Sequence, residues 1–147
     1  MKYTLHIDEG RDEEIIVYAH SKTKLIEALE RLINEEKLDT TPIIGYSGED
    51  IIEVDPDQVH CFFIEGKKLY ASMDKRDVLI KRRLYEIENV LGSSFIKINQ
   101  STIANAKHIE RFSVTIGATL TVHFKNGRRD YVSRRQLKSV KERLGIK

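Results

Sequence analysis

At 147 residues, 40% hydrophobic and 33% charged, the chain suits one domain, or one domain with a small N-terminal addition, and has apolar material for a real core. No apolar run approaches the ~20 residues of a membrane span, Met1–Gly10 has no signal-peptide core, and the single Cys61 excludes an internal disulfide framework, so a cytoplasmic protein is expected. The net charge of +2 conceals a division: residues 1–60 hold 6 Lys/Arg against 15 Asp/Glu (−9), and residues 61–147 hold 19 against 8 (+11). A basic half of this size calls for an anionic partner. Nucleic acid is the commonest, because each phosphate neutralised by Lys or Arg releases counterions. The plainer alternatives are an acidic half packed on the basic half, or a basic face that is only solvated.

Lys2–Asp8 alternates loosely between polar and apolar residues and reads as a strand. Glu14–Ala19 is rich in β-branched and aromatic residues and reads as a second. Lys22–Glu36 is the clearest helix: Leu25, Ile26, Leu29, Leu32 and Ile33 share one face, and Ser21 or Thr23 can cap its start. That face would cover a small sheet made by the two strands. The charged positions Glu27, Glu30, Arg31, Glu35 and Glu36 lie off it. A polar connection, Leu38–Pro42, marks a boundary, so residues 1–41 form a small β-β-α unit and residues 42–147 a second domain.

From Ile43 the pattern is one of short strands with turn signals between them: Ile43–Tyr46, Ile51–Val54, Val59–Ile64, Leu69–Met73 and Val78–Lys81, with a hairpin turn at Glu65–Gly66. Arg82–Leu91 reads as a helix, with Leu84, Ile87 and Leu91 on one face and Gly92 as its stop. Phe95–Ile98, Arg111–Ile116, Leu120–Phe124 and Arg128–Val132 are further strands, the last two joined by a two-residue turn at Asn126–Gly127. Ser133 with Gln136 forms a capping-box pattern opening a final helix, whose apolar face is Leu137, Val140 and Leu144 and whose stop is Gly145. The fold class expected is α+β and mostly β.

No catalytic constellation is visible. His60 and Cys61 are neighbours on a strand, so their side chains point to opposite faces and cannot pair. The remaining histidines lack metal-ligand spacing, and no Gly-rich phosphate loop occurs. Asp55 and Asp57 flank Pro56 and read as a turn in preference to a cation site. An enzyme, a metal site and a cofactor are therefore not expected.

Three stretches of the basic half carry specific information. Phe95-Ile-Lys-Ile-Asn-Gln-Ser-Thr-Ile-Ala-Asn105 is followed by Ala-Lys-His-Ile109, then by Phe124-Lys-Asn-Gly127, then by Tyr131-Val-Ser-Arg-Arg135 opening the last helix. In this order, and after the Leu84–Glu88 helix, they resemble the LytTR family of bacterial DNA-binding domains over roughly Ile43 to Ile146. The resemblance implies an elongated β fold that contacts double-stranded DNA through side chains on loops entering successive major grooves. By position, Lys97 matches the family's strand Arg/Lys, Gln100 the polar residue before the Ser, Ser101 that Ser, and Arg135 the second residue after the Val-Ser pair. Lys67 or Lys68 matches the first DNA-contacting loop. Gln100 and Arg135 are expected to read bases, since Gln can bond adenine and Arg guanine through two atoms. Lys67, Lys68, Lys97, Asn99, Ser101 and Arg134 are expected to contact phosphates, and Asn105 to bond backbone. Gln100 departs from the Lys, Arg or Asn common at its position.

Residues 1–41 show no strand ending in a phosphorylatable Asp and are too few for a doubly wound sheet. The resemblance is therefore to stand-alone members without a receiver domain. It implies a dimeric transcriptional regulator on repeated half-sites, in some cases held inactive by a small membrane protein. The acidic helix Lys22–Glu36 is the candidate for dimerisation or partner contact. The principal alternative is a basic interaction module that meets an acidic protein or a membrane surface without base specificity. An RNA binder is disfavoured by the scarcity of stacking aromatics in the basic half, and a small-molecule-binding domain is the remaining rival.

Overall fold

A computed structural model describes residues 2–34, 41–117 and 119–147. The chain divides into two compact units, Met1–Leu38 and Asp39–Lys147. No described helix is long and apolar enough to cross a membrane.

In the first unit the helix is α1, Lys24–Asn34. Thr23 opens it, its Oγ1 accepting from the Ile26 amide at 3.4 Å. The expected positions beyond Asn34 lie outside the described residues, as does most of the connection expected at Leu38–Pro42. The two expected strands do not form. Residues 2–8 and 14–19 carry no strand pairing, and only a tight turn interrupts them, with Asp8 Oδ1 accepting from Gly10 N at 3.0 Å. A lone two-stranded ribbon is marginal in water. Ile15, Ile16 and Val17 have high strand propensity but are exposed, so no burial rewards the pairing.

The second unit is built on ten strands: β1 Ile43–Ser47, β2 Asp50–Val54, β3 Cys61–Glu65, β4 Lys68–Ser72, β5 Asp77–Ile80, β6 Phe95–Asn99, β7 Thr102–Asn105, β8 Ile109–Thr115, β9 Thr119–Phe124 and β10 Arg129–Val132. Helix α2, Leu84–Val90, lies between β5 and β6, and α3, Arg134–Leu144, follows β10. The strands form a seven-stranded antiparallel sheet in the order β2-β1-β5-β4-β3-β7-β6 and a three-stranded sheet β10-β9-β8. Most neighbours are hairpin partners. The long-range pairings are β1 with β5 and β3 with β7.

Strand alternation assigns the two faces of the large sheet to separate cores. Phe62, Leu69, Ala71, Val78, Ile80 and Ile103 enter one core with Leu84 and Ile87 of α2. Cys61, Phe63, Ile96, Ile98 and Ala104 enter the other, closed by Leu120, Val122, Phe124 and Val132 of the small sheet and by Val140 of α3. The run Cys61-Phe62-Phe63 is buried throughout because β3 has a covered surface on both sides. Each of its phenylalanines contributes about 1.5–3 kcal/mol by leaving water. Gly45 on β1 marks a close approach: a Cβ there would lie 2.7 Å from Val78 Cγ2 and 2.8 Å from Val54 Cγ2.

Three turns differ from expectation. The β3–β4 turn is centred on Gly66 (φ 56°) and Lys67 (φ 64°), one residue later than expected, the double positive φ of a type I′ hairpin. The β9–β10 loop has three residues, Lys125 to Gly127, closed by Phe124 N donating to Arg128 O at 2.8 Å. Only Gly127 there has positive φ, while Asn126 donates to Ser72 Oγ and to Met73 O, both at 3.0 Å. Its side chain anchors the loop, and no two-residue turn forms. Helix α2 ends at Val90 with Leu91 extended (ψ 147°), so Gly92 does not act as a left-handed stop.

Candidate nucleic-acid interface

The seven-stranded sheet has one end at which β3 finishes and β4 begins. Lys67 and Lys68 are exposed there, on and beside the β3–β4 turn. Register continues the pattern sideways. Leu69 pairs with Ile80, so the residues beyond β5, Lys81 and Arg82, line one open groove with Lys67 and Lys68. Sequence reasoning missed these two cations; the signal lay only in the β4–β5 register. Lys81 Nζ lies 4.1 Å from the Tyr46 ring centroid, and Arg82 Nε is 3.9 Å from Glu86 Oε2.

The neighbouring tip joins β6 to β7. No strand is expected over Thr102–Asn105 from the sequence. The segment is a strand, buried throughout, because β3 offers it a pairing edge: Phe63 pairs with Thr102 and Cys61 with Ala104. The loop thus shrinks to Gln100 and Ser101, both exposed. Ile64 N donates to Ser101 O at 2.9 Å, which fixes this tip beside the β3–β4 hairpin.

Asn99 is placed differently from expectation. It is 2% exposed, and its amide is spent internally. Nδ2 donates to Asp130 Oδ1 at 3.1 Å and to Tyr131 O at 2.9 Å, and Oδ1 accepts from Ser101 N at 2.9 Å. A side chain so engaged holds the loop and does not reach a phosphate. Its partner Asp130, on β10, also accepts from Thr102 Oγ1 at 2.6 Å and from Tyr131 N at 2.8 Å.

The third segment is the start of α3. Ser133 is the N-cap, its Oγ accepting from Gln136 N at 3.4 Å. Ser133 N donates to Ile98 O at 2.9 Å, tying the helix start to the end of β6. Arg134 and Arg135 follow as the first two helical residues and are exposed. Helix N-termini favour anions, and arginine there adds a planar fork suited to phosphate or to guanine.

Six of the eight expected contact residues (Lys67, Lys68, Gln100, Ser101, Arg134 and Arg135) therefore come to one end, exposed. Asn99 lies beneath them. Lys97 is half-buried and turned sideways, lining an open cleft of about 390 Å³ with Gln136, Ser139 and Arg143 of α3. The stretch Phe124–Gly127 lies at the opposite end, through the Asn126 bonds to Ser72 and Met73.

That opposite end is structural. Asn105 donates to Val59 O at 2.9 Å and accepts from Lys107 N at 3.1 Å, the backbone bonding expected of a polar residue in an apolar run. Asp55 Oδ1 accepts from Asp57 N at 3.0 Å, capping a 3₁₀ turn. His60 Nε2 lies 2.5 Å from Asp74 Oδ1, and its ring is 4.2 Å from that of His108. No group of three metal-ligating side chains occurs among the described residues. Burial pushes the Cys61 thiol up to about 12, although Arg128 beside it acts in the other direction, so it is no nucleophile. Partial desolvation, with the guanidinium groups of Arg111 and Arg129, lowers the His123 pKa below the ordinary histidine value.

Residues 49–145 match the LytTr DNA-binding domain family. Relatives from Staphylococcus aureus strains NCTC 8325 / PS 47 and MW2, each described as an uncharacterized HTH-type transcriptional regulator, are 30% identical over 147 residues, spanning 99% of this chain and 99% of their own. A solved LytTr DNA-binding domain from Bacillus cereus superposes with a TM-score of 0.66 at 25% identity, covering 71% of this chain and 98% of that one. In the chain described here five strands separate α2 from α3, so these two helices form no helix-turn-helix.

Proposed function

The chain belongs to the LytTR family of DNA-binding domains, and from that premise we propose a sequence-specific transcriptional regulator that reads the major groove with the tips of its loops. The observation that carries the reading is the convergence of three exposed tips on one end: Lys67 and Lys68, Gln100 and Ser101, Arg134 and Arg135. Hydrogen bonds between the segments fix their spacing. Gln100 and Arg135 carry two-atom donors or acceptors that match adenine and guanine edges, and they act as the base readers. Lys67, Lys68, Lys81, Arg82, Ser101 and Arg134 set position on the phosphates.

The regulator acts as a dimer on two half-sites. Helix α1 presents Leu25, Leu32 and Ile33, all exposed, as the pairing stripe or as the seat of a partner that holds the regulator inactive. A small membrane protein is the class of inhibitor implied by the family.

Selection of random duplex DNA at near-physiological salt, with Arg135→Ala in parallel, tests the reading. Two similar half-sites about one helical turn apart, lost in the variant, are expected. With about five or six phosphates neutralised, log affinity falls with log salt at a slope of about −5. Retention with no enriched sequence would leave only a charge-sensing surface. A chain beginning at Thr41 that keeps both oligomeric state and half-site spacing would remove α1 from the account.

A further inference from the structure

We infer that Asp130 is a positioning residue that sets the ratio between specific and indiscriminate DNA binding, an inference that rests on the DNA reading above. Its carboxylate clasps both stems of the Gln100–Ser101 tip. Oδ1 accepts from Asn99 Nδ2 at 3.1 Å on the β6 side, and Oδ2 accepts from Thr102 Oγ1 at 2.6 Å on the β7 side. Oδ1 also accepts from Tyr131 N at 2.8 Å, two residues before the Ser133 cap. One side chain thereby fixes Gln100, on the seven-stranded sheet, relative to Arg134 and Arg135, which follow the three-stranded sheet. Two base readers on separate elements discriminate only if their separation matches the groove, so this clasp acts on sequence-dependent binding.

The same carboxylate acts in the opposite sense on sequence-independent binding. Its three partners are neutral donors, which satisfy its lone pairs without cancelling its charge. It is half-buried, at an end whose exposed residues include Lys67, Lys68, Arg134 and Arg135. A negative charge there weakens attraction to every phosphate backbone alike. Specificity is a difference between two affinities, and Asp130 raises the first while lowering the second.

The test uses the full chain with Asp130→Asn and Thr102→Val, each bound to the selected duplex and to a scrambled duplex across a salt series, with melting recorded for both. Asp130→Asn removes the charge and keeps one acceptor oxygen. It is expected to weaken the selected duplex roughly fivefold through the loosened clasp and to strengthen the scrambled duplex roughly threefold at low salt, a gain that fades as salt rises. Thr102→Val opens the clasp without altering charge, so it weakens the selected duplex and leaves the scrambled one unchanged. Equal weakening of both duplexes by Asp130→Asn would make Asp130 a scaffold residue only, and an unchanged ratio would also overturn the inference. Should Asp130→Asn fail to melt cooperatively, Thr102→Val decides: unaltered discrimination overturns the clasp. A parent chain that does not distinguish the two duplexes fails the underlying reading, and this inference falls with it.

Discussion

Asn99→Ala separates two roles that one residue could play at this end of the molecule. A phosphate contact would be exposed, and its loss would cost affinity for any duplex alike while leaving the fold intact and, because an amide carries no charge, the salt slope unchanged. The observed Asn99 is 2% exposed and makes three hydrogen bonds, to Asp130, to Tyr131 O and from Ser101 N. Truncation leaves the Tyr131 carbonyl and the Ser101 amide without that partner in a place water reaches poorly. At about 1 kcal/mol for each bond lost, the variant is destabilised by roughly 2–4 kcal/mol. For a unit of this size that corresponds to a melting temperature lower by roughly 6–15 °C. Urea denaturation followed by circular dichroism measures it: the midpoint falls, and the slope stays that of the parent. Selected DNA binds more weakly, because the Gln100–Ser101 tip loses its anchor. An unchanged urea midpoint together with equal weakening of selected and scrambled DNA would refute this reasoning and return Asn99 to the surface.

The other expectations are simpler. Gly45→Ala forces a methyl against Val78 and Val54 at under 3 Å and is destabilising by about 1–3 kcal/mol in the same urea experiment; equal stability would mean the β1–β2–β5 region gives way freely. Cys61, with its thiol pushed up to about 12 and fully buried, does not react with Ellman's reagent in native buffer at pH 8 and reacts once in 6 M guanidinium; stoichiometric native reaction would contradict the burial. His123 titrates below the ordinary histidine value of about 6.5 when its ring protons are followed by NMR. Its folded pKa is lowered, so its contribution favours the fold above the unfolded pKa and is lost as pH falls through the folded one; a titration above 6.5 would remove that contribution.

The strands legible in the sequence were those with two local signals. β9, for example, alternates Leu120, Val122 and Phe124 inward, and the Asn126–Gly127 pair marks its end even though the turn built there is of another kind. β7 was invisible because its four residues follow a polar tip directly, and its burial depends on β3, some 40 positions earlier in the chain. The N-terminal segment shows the converse: Glu14–Ala19 has the composition of a strand and no sheet to join. At the interface, exposed tips such as Gln100 and Arg135 could be found because a local motif surrounds each. Asp130 could not be, since its side-chain partners lie 28 and 31 positions away, and nothing in Arg-Arg-Asp-Tyr distinguishes a clasp from a solvated charge. Asn99 was misplaced for a related reason. A polar residue next to a polar loop looks exposed until the β6–β7 bulge between Lys97 and Asn99 turns it inward.

The β3–β4, β6–β7 and β10–α3 tips hang on different elements, and each is short. A recognition helix ties its readers together, so that a replacement at one position disturbs the packing and tilt that serve the others. On the proposed reading, Gln100 can be exchanged without moving Arg135, because the framework between them is backbone pairing and the Asn99–Asp130 bond, neither of which involves the side chains proposed to read bases. Such an architecture lets target preference drift one tip at a time in a lineage. It also offers an engineer three small, separable cassettes in which to randomise residues while the scaffold remains untouched.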